Sequence, residues 1–171
     1  MAIIPKRVCW DACSWIALIQ KEKIQKENGR VENRYGMCRS VIDLAVKGKI
    51  ELATSAVSLA EVCRHPGVAQ ASADAIKNFF EQDYILIVPT DQIVGEKARE
   101  LMMAGYSKLK PPDAIHLATA IETPGILELH SFDERLLEFD GKLQRFNGEM
   151  LRICKPSHGG PDTPLFDLSN E

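Results

Sequence analysis

The sequence of 171 residues contains no C-x-x-C pair, although it holds five cysteines, Cys9, Cys13, Cys38, Cys63 and Cys154. An odd count without paired spacing argues against a disulfide framework and reads as reduced thiols in a cytoplasmic protein. A zinc set built on Cys9, Cys13, Cys63 and His65 fits no established zinc spacing, so buried cysteine is the preferred reading. No run of eighteen apolar residues occurs, which argues against a membrane-spanning helix. The opening stretch Met1-Ala2-Ile3-Ile4-Pro5-Lys6-Arg7 is too short, and too soon broken by proline, to read as a signal peptide. There is no basic excess: 21 Lys and Arg stand against 24 Asp and Glu, a net charge of −3. That excludes a wholesale basic coat for nucleic acid but leaves room for a local basic groove. No internal repeat is present.

What is present is an alternation of short apolar runs and helical periodicities. The length fits one domain, expected over residues 1–154. Strands are predicted at Arg7 to Trp10, Ile50 to Thr54, Tyr84 to Val88, Ile126 to His130 and, last, Met150 to Cys154. Helices are predicted from about Cys13 to Gln20, over the Met37, Val41, Leu44 and Ala45 repeat stopped by Gly48, and through Val57, Ala60, Glu61 and Arg64 to a close at Pro66-Gly67. Further helices are expected over Val68 to Phe80, from the cap Asp91 to Ala104, from Asp113 to Ile121, and briefly after Asp133. Residues 21–34 carry eight charges and an Asn28-Gly29 pair, and read as a solvated helix end and a turn. Residues 105–112 read as a loop. The final seventeen residues, from Lys155, hold three prolines and a Gly159-Gly160 pair and are expected to be loosely ordered. Strand and helix alternating in this way predict an α/β fold with a mainly parallel sheet.

Four acids have two readings each. Asp11 and Asp133 sit between a strand and a helix, where aspartate is a common cap. Glu61 completes a Ser58-x-x-Glu61 capping box, and Asp113 follows two prolines at a helix start. Together they point elsewhere. Asp11 and Asp133 both lie just past the C-terminal ends of predicted parallel strands, the edge where ligands bind in open α/β sheets. If Ser55 caps the helix after Thr54, Glu61 is free in the second turn. Converging carboxylates repel, and at least one takes up a proton unless a cation relieves them. Oxygen ligands of this kind suit Mg²⁺ or Mn²⁺.

Four stretches carry a family resemblance: Val8-Cys9-Trp10-Asp11-Ala12-Cys13-Ser14-Trp15 and on to Ile19, Leu52 to Val62, Lys110-Pro111-Pro112-Asp113-Ala114-Ile115-His116 and on to Ala120, and Leu129-His130-Ser131-Phe132-Asp133-Glu134-Arg135-Leu136. In this order they resemble the PIN domain, most closely its VapC toxin class. The resemblance implies a three-layer α/β/α fold with a central, mainly parallel sheet. It implies a metal-dependent endoribonuclease whose Asp11, Glu61, Asp113 and Asp133 hold Mg²⁺ or Mn²⁺, with Ser131 in support, and whose products carry 5′-phosphate and 3′-hydroxyl ends. It implies an RNA substrate, an antitoxin protein as partner and a homodimer. Cys13 departs from the pattern, standing where many members carry Ser, Thr or Asn.

Arg64, Lys108 and Lys110 are candidate RNA contacts, each weighed against a plain solvated charge. His116 and Trp15 stand near the acids, and core packing is the preferred reading of both. Two alternatives remain open at this level: a PIN ribonuclease in RNA processing without a toxin role, and a non-catalytic PIN module that binds RNA or protein.

Overall fold

The computed structural model describes residues 5–70, 72–106 and 109–157. Its strands in chain order are β1 (Arg7–Trp10), the two-residue β2 (Ile24–Gln25) and β3 (Val31–Glu32), β4 (Glu51–Ser55), β5 (Ile85–Val88), β6 (Ile126–His130) and β7 (Arg152–Cys154). The helices are α1 (Ala12–Ile19), α2 (Arg34–Val46), α3 (Val57–Glu61), α4 (Pro66–Ala69), α5 (Ala73–Phe80), α6 (Gln92–Met103), α7 (Pro111–Glu122) and α8 (Glu134–Leu137), with a 3-10 turn at Val62–Arg64. Five strands form one sheet in the order β5-β4-β1-β6-β7, and every pairing is parallel.

β1 is central because both of its faces are apolar. Successive side chains of a strand point to opposite faces, and Val8, Cys9 and Trp10 are all fully buried. Val8 and Trp10 join a core with α1, α2 and α5; Cys9 joins a second core with α6, α7 and α8. Helices on both sides of a parallel sheet give the three-layer α/β/α architecture. Trp15 belongs to the first core, as expected. It is fully buried, packs tilted against Trp10 at 4.6 Å between ring centroids and meets Phe79 and Phe80 edge-on. Each such ring pair adds about 0.5–1.5 kcal/mol beyond burial. In the second core, Ala114, Ala118 and Ala120 of α7 are fully buried, and the sheet offers them the small side chains of Cys9 and Ala53. Small residues on both surfaces let α7 lie close to the sheet, which brings its first turn to the strand ends.

The structure differs from the sequence expectation in several elements. Residues 21–34 hold more than a helix end and a turn: β2 and β3 pair antiparallel around Asn28 and Gly29, whose φ of 76° suits glycine. Pro66 does not close a helix but opens α4, because its fixed φ and missing N–H suit a first helical position. The stretch 68–80 divides between α4 and α5, with Ser72 capping the latter. For the same proline reason α7 begins at Pro111, which makes Asp113 its third residue rather than its first. β5 is an edge strand and half-buried. Of the tail, residues 155–157 are held: Lys155 pairs with Glu32 at 2.8 Å and Pro156 is buried. Residues 158–171 and Lys108 lie outside the described residues. Among the described residues no helix is long and apolar enough to cross a membrane.

Candidate active site

The chain runs from β1 outward to β4 and β5, then returns to lay β6 on the other side of β1. Strand order therefore reverses between β1 and β6, and the crevice beyond their C-terminal ends is the binding position of such a sheet. Asp11 follows β1 directly, and Ser131 and Asp133 follow β6.

Asp11 is the N-cap of α1, so the capping reading is correct for one of its oxygens. Oδ1 accepts from the Ser14 backbone N–H and lies 3.0 Å from the Ser14 hydroxyl. Oδ2 is not used in capping and accepts from the Ser131 hydroxyl. Ser131 in turn accepts from the Asp133 N–H at 2.9 Å, so one hydroxyl ties the two strand ends together. Asp11 is 2% exposed. Burial pushes its carboxyl above the ordinary range, although the His116 charge and the bonds from Ser131 and Ser14 pull the other way.

Asp133 caps α8 and is gripped by Arg135. Oδ1 accepts from the Arg135 N–H at 2.9 Å and from Nε at 3.1 Å, and Oδ2 accepts from Nη2 at 2.5 Å. The Arg135 guanidinium holds this carboxyl below its ordinary value against partial burial, and the Lys110 charge adds to the effect. Asp113 Oδ2 faces Arg135 Nη1 at 3.7 Å and accepts from the Lys110 N–H at 3.4 Å. Glu61 does not complete a capping box. Ser58 is buried and receives the Thr54 hydroxyl at 2.8 Å, while the earlier Ser55 accepts from the Val57 N–H at 3.2 Å. The Glu61 carboxylate is thereby free to meet His116 Nε2 at 2.6 Å.

Cys13 follows Asp11 in the first turn of α1. Desolvation of its sulfur pushes the thiol up, and the charges of Asp11, Asp133, Glu61 and Asp113 all push in the same direction. The contacts link the acids in steps: Ser131 joins Asp11 to Asp133, Arg135 spans Asp133 and Asp113, and α7 carries both Asp113 and the His116 that meets Glu61. Lys110, at the N-terminus of α7, is exposed beside them. Arg64 is exposed on the 3-10 turn and has no ion-pair partner among the described residues.

Two residues exceed what the sequence reading assigned them. His116 is buried as expected, yet it also joins Glu61, and its Nδ1 has no partner among the described residues. Arg135 was not singled out at all. Its signal was available: a cation in the first turn of a helix opposes the dipole, which marks a residue placed for another reason.

The donor set fits a hard divalent cation. It consists of carboxylate oxygens, and the most buried of them, Asp11, has its charge disfavoured by desolvation, a condition a cation relieves. A second set of ligand types lies elsewhere: Glu128, His130 and Cys154 bring one donor atom each within 4.8 Å of one another. This set reads instead as a buried ion-pair knot. The Trp10 indole N–H donates to His130 Nδ1 at 3.2 Å, so Nε2 carries the hydrogen that Glu128 accepts at 2.9 Å. A metal on Nε2 requires that hydrogen to move to Nδ1, where the indole N–H already points. Arg152, 3.3 Å from Glu128, supplies the balancing charge.

A search of curated protein sequences finds no match. Among solved structures, the fold is similar to that of Mycobacterium tuberculosis VapC20, described as a toxin that cleaves the sarcin-ricin loop, with a TM-score of 0.52 and 18% sequence identity over 75% of this chain and 92% of that one. The family profile described as PIN domain matches residues 8–142, a span that runs from β1 past Asp11, Glu61, Asp113 and Asp133, and on that match the chain belongs to the PIN domain family.

Proposed function

We propose that this protein is a metal-dependent endoribonuclease that hydrolyses RNA phosphodiester bonds and serves as the toxin of a toxin–antitoxin pair. The observation that carries the reading is that Asp11 and Asp133 follow the two strands at the strand-order reversal of a PIN domain and are joined there by Ser131, with Asp113 linked to Asp133 through Arg135 and Glu61 held by His116. The structural likeness to a ribonuclease toxin supports the choice of RNA. Asp11, Glu61, Asp113 and Asp133 are the residues that hold Mg²⁺ or Mn²⁺. When bound, the cation supplies Lewis acidity and charge compensation at a phosphoryl group.

The chain's own residues prepare the rest. Asp11 is fixed from two sides by Ser14 and Ser131, so it presents a carboxylate that needs no reorganisation. His116 fixes Glu61 from the buried side. Lys110 is positioned for a phosphate of the strand next to Asp113, as a point charge on an exposed loop end. Hydrolysis breaks the bond between phosphorus and the 3′ oxygen, and water supplies the hydroxyl that leaves the phosphate on the 5′ side.

Incubation of the purified protein with total RNA, with Mn²⁺ or with EDTA, followed by end mapping, tests this directly. Discrete cuts with 5′-phosphate and 3′-hydroxyl ends that require Mn²⁺ are expected; cleavage unchanged in excess EDTA overturns metal dependence. Asp113→Asn is expected to fold, since Asn tolerates a helix start, and to lose cleavage. A neighbouring small gene for a DNA-binding antitoxin separates the toxin role from RNA processing.

A further inference from the structure

Arg135 is the second residue of α8, a four-residue helix that starts immediately after Asp133. Its guanidinium forks the Asp133 carboxylate through Nε and Nη2 and turns Nη1 toward Asp113 Oδ2 at 3.7 Å. One side chain therefore spans an acid from α7 and an acid from the end of β6. It does so from the solvent side: Arg135 is 37% exposed, against 14% for Asp113 and 18% for Asp133. Among the described residues Asp11 and Glu61 have no such guanidinium and are held by hydroxyls and by His116.

We infer that Arg135 is an exchangeable counter-cation of this site: it competes with the divalent ion for Asp113 and Asp133, and once displaced it clamps a phosphate of the nucleic-acid strand. The inference rests on the metal-dependent reading above. One guanidinium leaves the Asp113 and Asp133 pair with a residual negative charge, whereas a divalent ion neutralises both. The fork on Asp133 is the firmer contact and the 3.7 Å approach to Asp113 the looser one, so the ion gains Asp113 first and displaces the guanidinium from Asp133 by its greater charge. The released guanidinium keeps its planar fork of five N–H donors, which matches the oxygens of a phosphate as well as those of a carboxylate. The pairing thus guards the acids against mutual repulsion before the ion arrives and delivers a phosphate contact only afterwards.

The test uses the full-length wild type, Arg135→Gln and Arg135→Lys, with folding checked by circular dichroism. The first probe is Mn²⁺ alone, with the free ion read by electron paramagnetic resonance. Arg135→Gln is expected to bind Mn²⁺ about three- to tenfold more tightly than wild type, the scale set by loss of one competing charge. Arg135→Lys is expected between them, because lysine keeps the charge without the fork. The second probe is a short single-stranded 2′-deoxy oligonucleotide at saturating Mn²⁺. Here Arg135→Gln is expected to bind several-fold more weakly than wild type. Equal or weaker Mn²⁺ affinity in Arg135→Gln overturns the competition and leaves metal dependence standing. Unchanged oligonucleotide affinity overturns the clamp. Absence of Mn²⁺ binding in all three proteins removes the metal-dependent reading and this inference with it.

Discussion

The Ser131 hydroxyl reaches 120 positions back along the chain, donating to Asp11 while accepting from the backbone N–H of Asp133. Ser131→Ala leaves a buried carboxylate oxygen without its donor, at a cost of about 1–3 kcal/mol. Urea unfolding is expected to record that loss, and RNA cleavage to fall roughly tenfold as Asp11 loses its fixed orientation; Ser131→Thr, which keeps the donor, is expected to restore both. A Ser131→Ala protein with unaltered stability and cleavage removes the hydroxyl from the site. Asp11 gives a second prediction at this scale. Its folded carboxyl titrates above the ordinary range because it is buried. The folded state therefore holds a proton that the unfolded state has released, and stability falls as pH rises from the ordinary carboxylate range through the raised value. In EDTA, Asp11→Asn abolishes that decline, since asparagine carries no charge into the pocket and still caps α1. The variant is expected to melt higher than wild type at pH 7 without metal and to lose this advantage when Mn²⁺ is added to both. A lower melting temperature than wild type in EDTA contradicts the desolvation argument.

Among the elements, the β2–β3 hairpin is fastened by charge rather than by a core. Glu32 receives Lys26, Arg34 and Lys155, and these bonds hold its carboxyl down at about 2 against the opposing effect of desolvation. Arg34 also reaches Glu22 at 3.0 Å and lies over the Phe132 ring at 4.7 Å. A depressed folded value contributes stability that is complete above the unfolded carboxylate range and is lost as pH falls toward 2. Glu32→Gln is expected to destabilise the protein by about 1–2 kcal/mol at pH 7 and to flatten the acid limb of the stability curve; identical acid limbs in the two proteins show the network to be idle. The hairpin also marks the limit of sequence reading. The bounds of β1 were legible because its apolar run ends abruptly at Asp11, and those of β6 because the Pro124-Gly125 turn opens it. β2 and β3 were not legible, since they have two residues each and their partners include Lys155, 123 positions away. The site divides in the same way. The candidate acids are singled out in the sequence by their place at strand ends and helix starts, and the structure shows Asp11 and Asp133 to be helix caps. The pairing of His116 with Glu61 was not legible, because it depends on how α7 crosses α3, which local periodicity does not encode.

For the whole molecule the question is how a protein of net charge −3 holds an anionic strand. Its overall field gives no attraction, so affinity has to come from a few groups at the site. Loading the carboxylates with a divalent ion cancels much of the local negative charge, and the same binding raises the melting temperature, by about 2.7 kcal/mol of added stability when the free ion stands at a hundred times its dissociation constant. Among the described residues, the cations then left beside the acids are Lys110, exposed at the start of α7, and Arg135 on α8. Two phosphate contacts on a single strand correspond to a slope of about −1.4 for log affinity against log salt. RNA binding is therefore expected to be weak toward generic sequence, shallow in its salt dependence, and selective through the shape or sequence of a short segment. The measurement is RNA affinity across a salt series at saturating Mn²⁺, in the Asp113→Asn background to prevent cleavage, with and without alanine at both Lys108 and Lys110. The double alanine variant is expected to weaken RNA binding and reduce the slope while leaving the Mn²⁺ affinity of the same background unchanged. Unchanged RNA affinity makes these lysines solvated charges only, and a slope several-fold steeper than predicted points to a wider basic surface, since each further unit of about −0.7 reports one more phosphate neutralised.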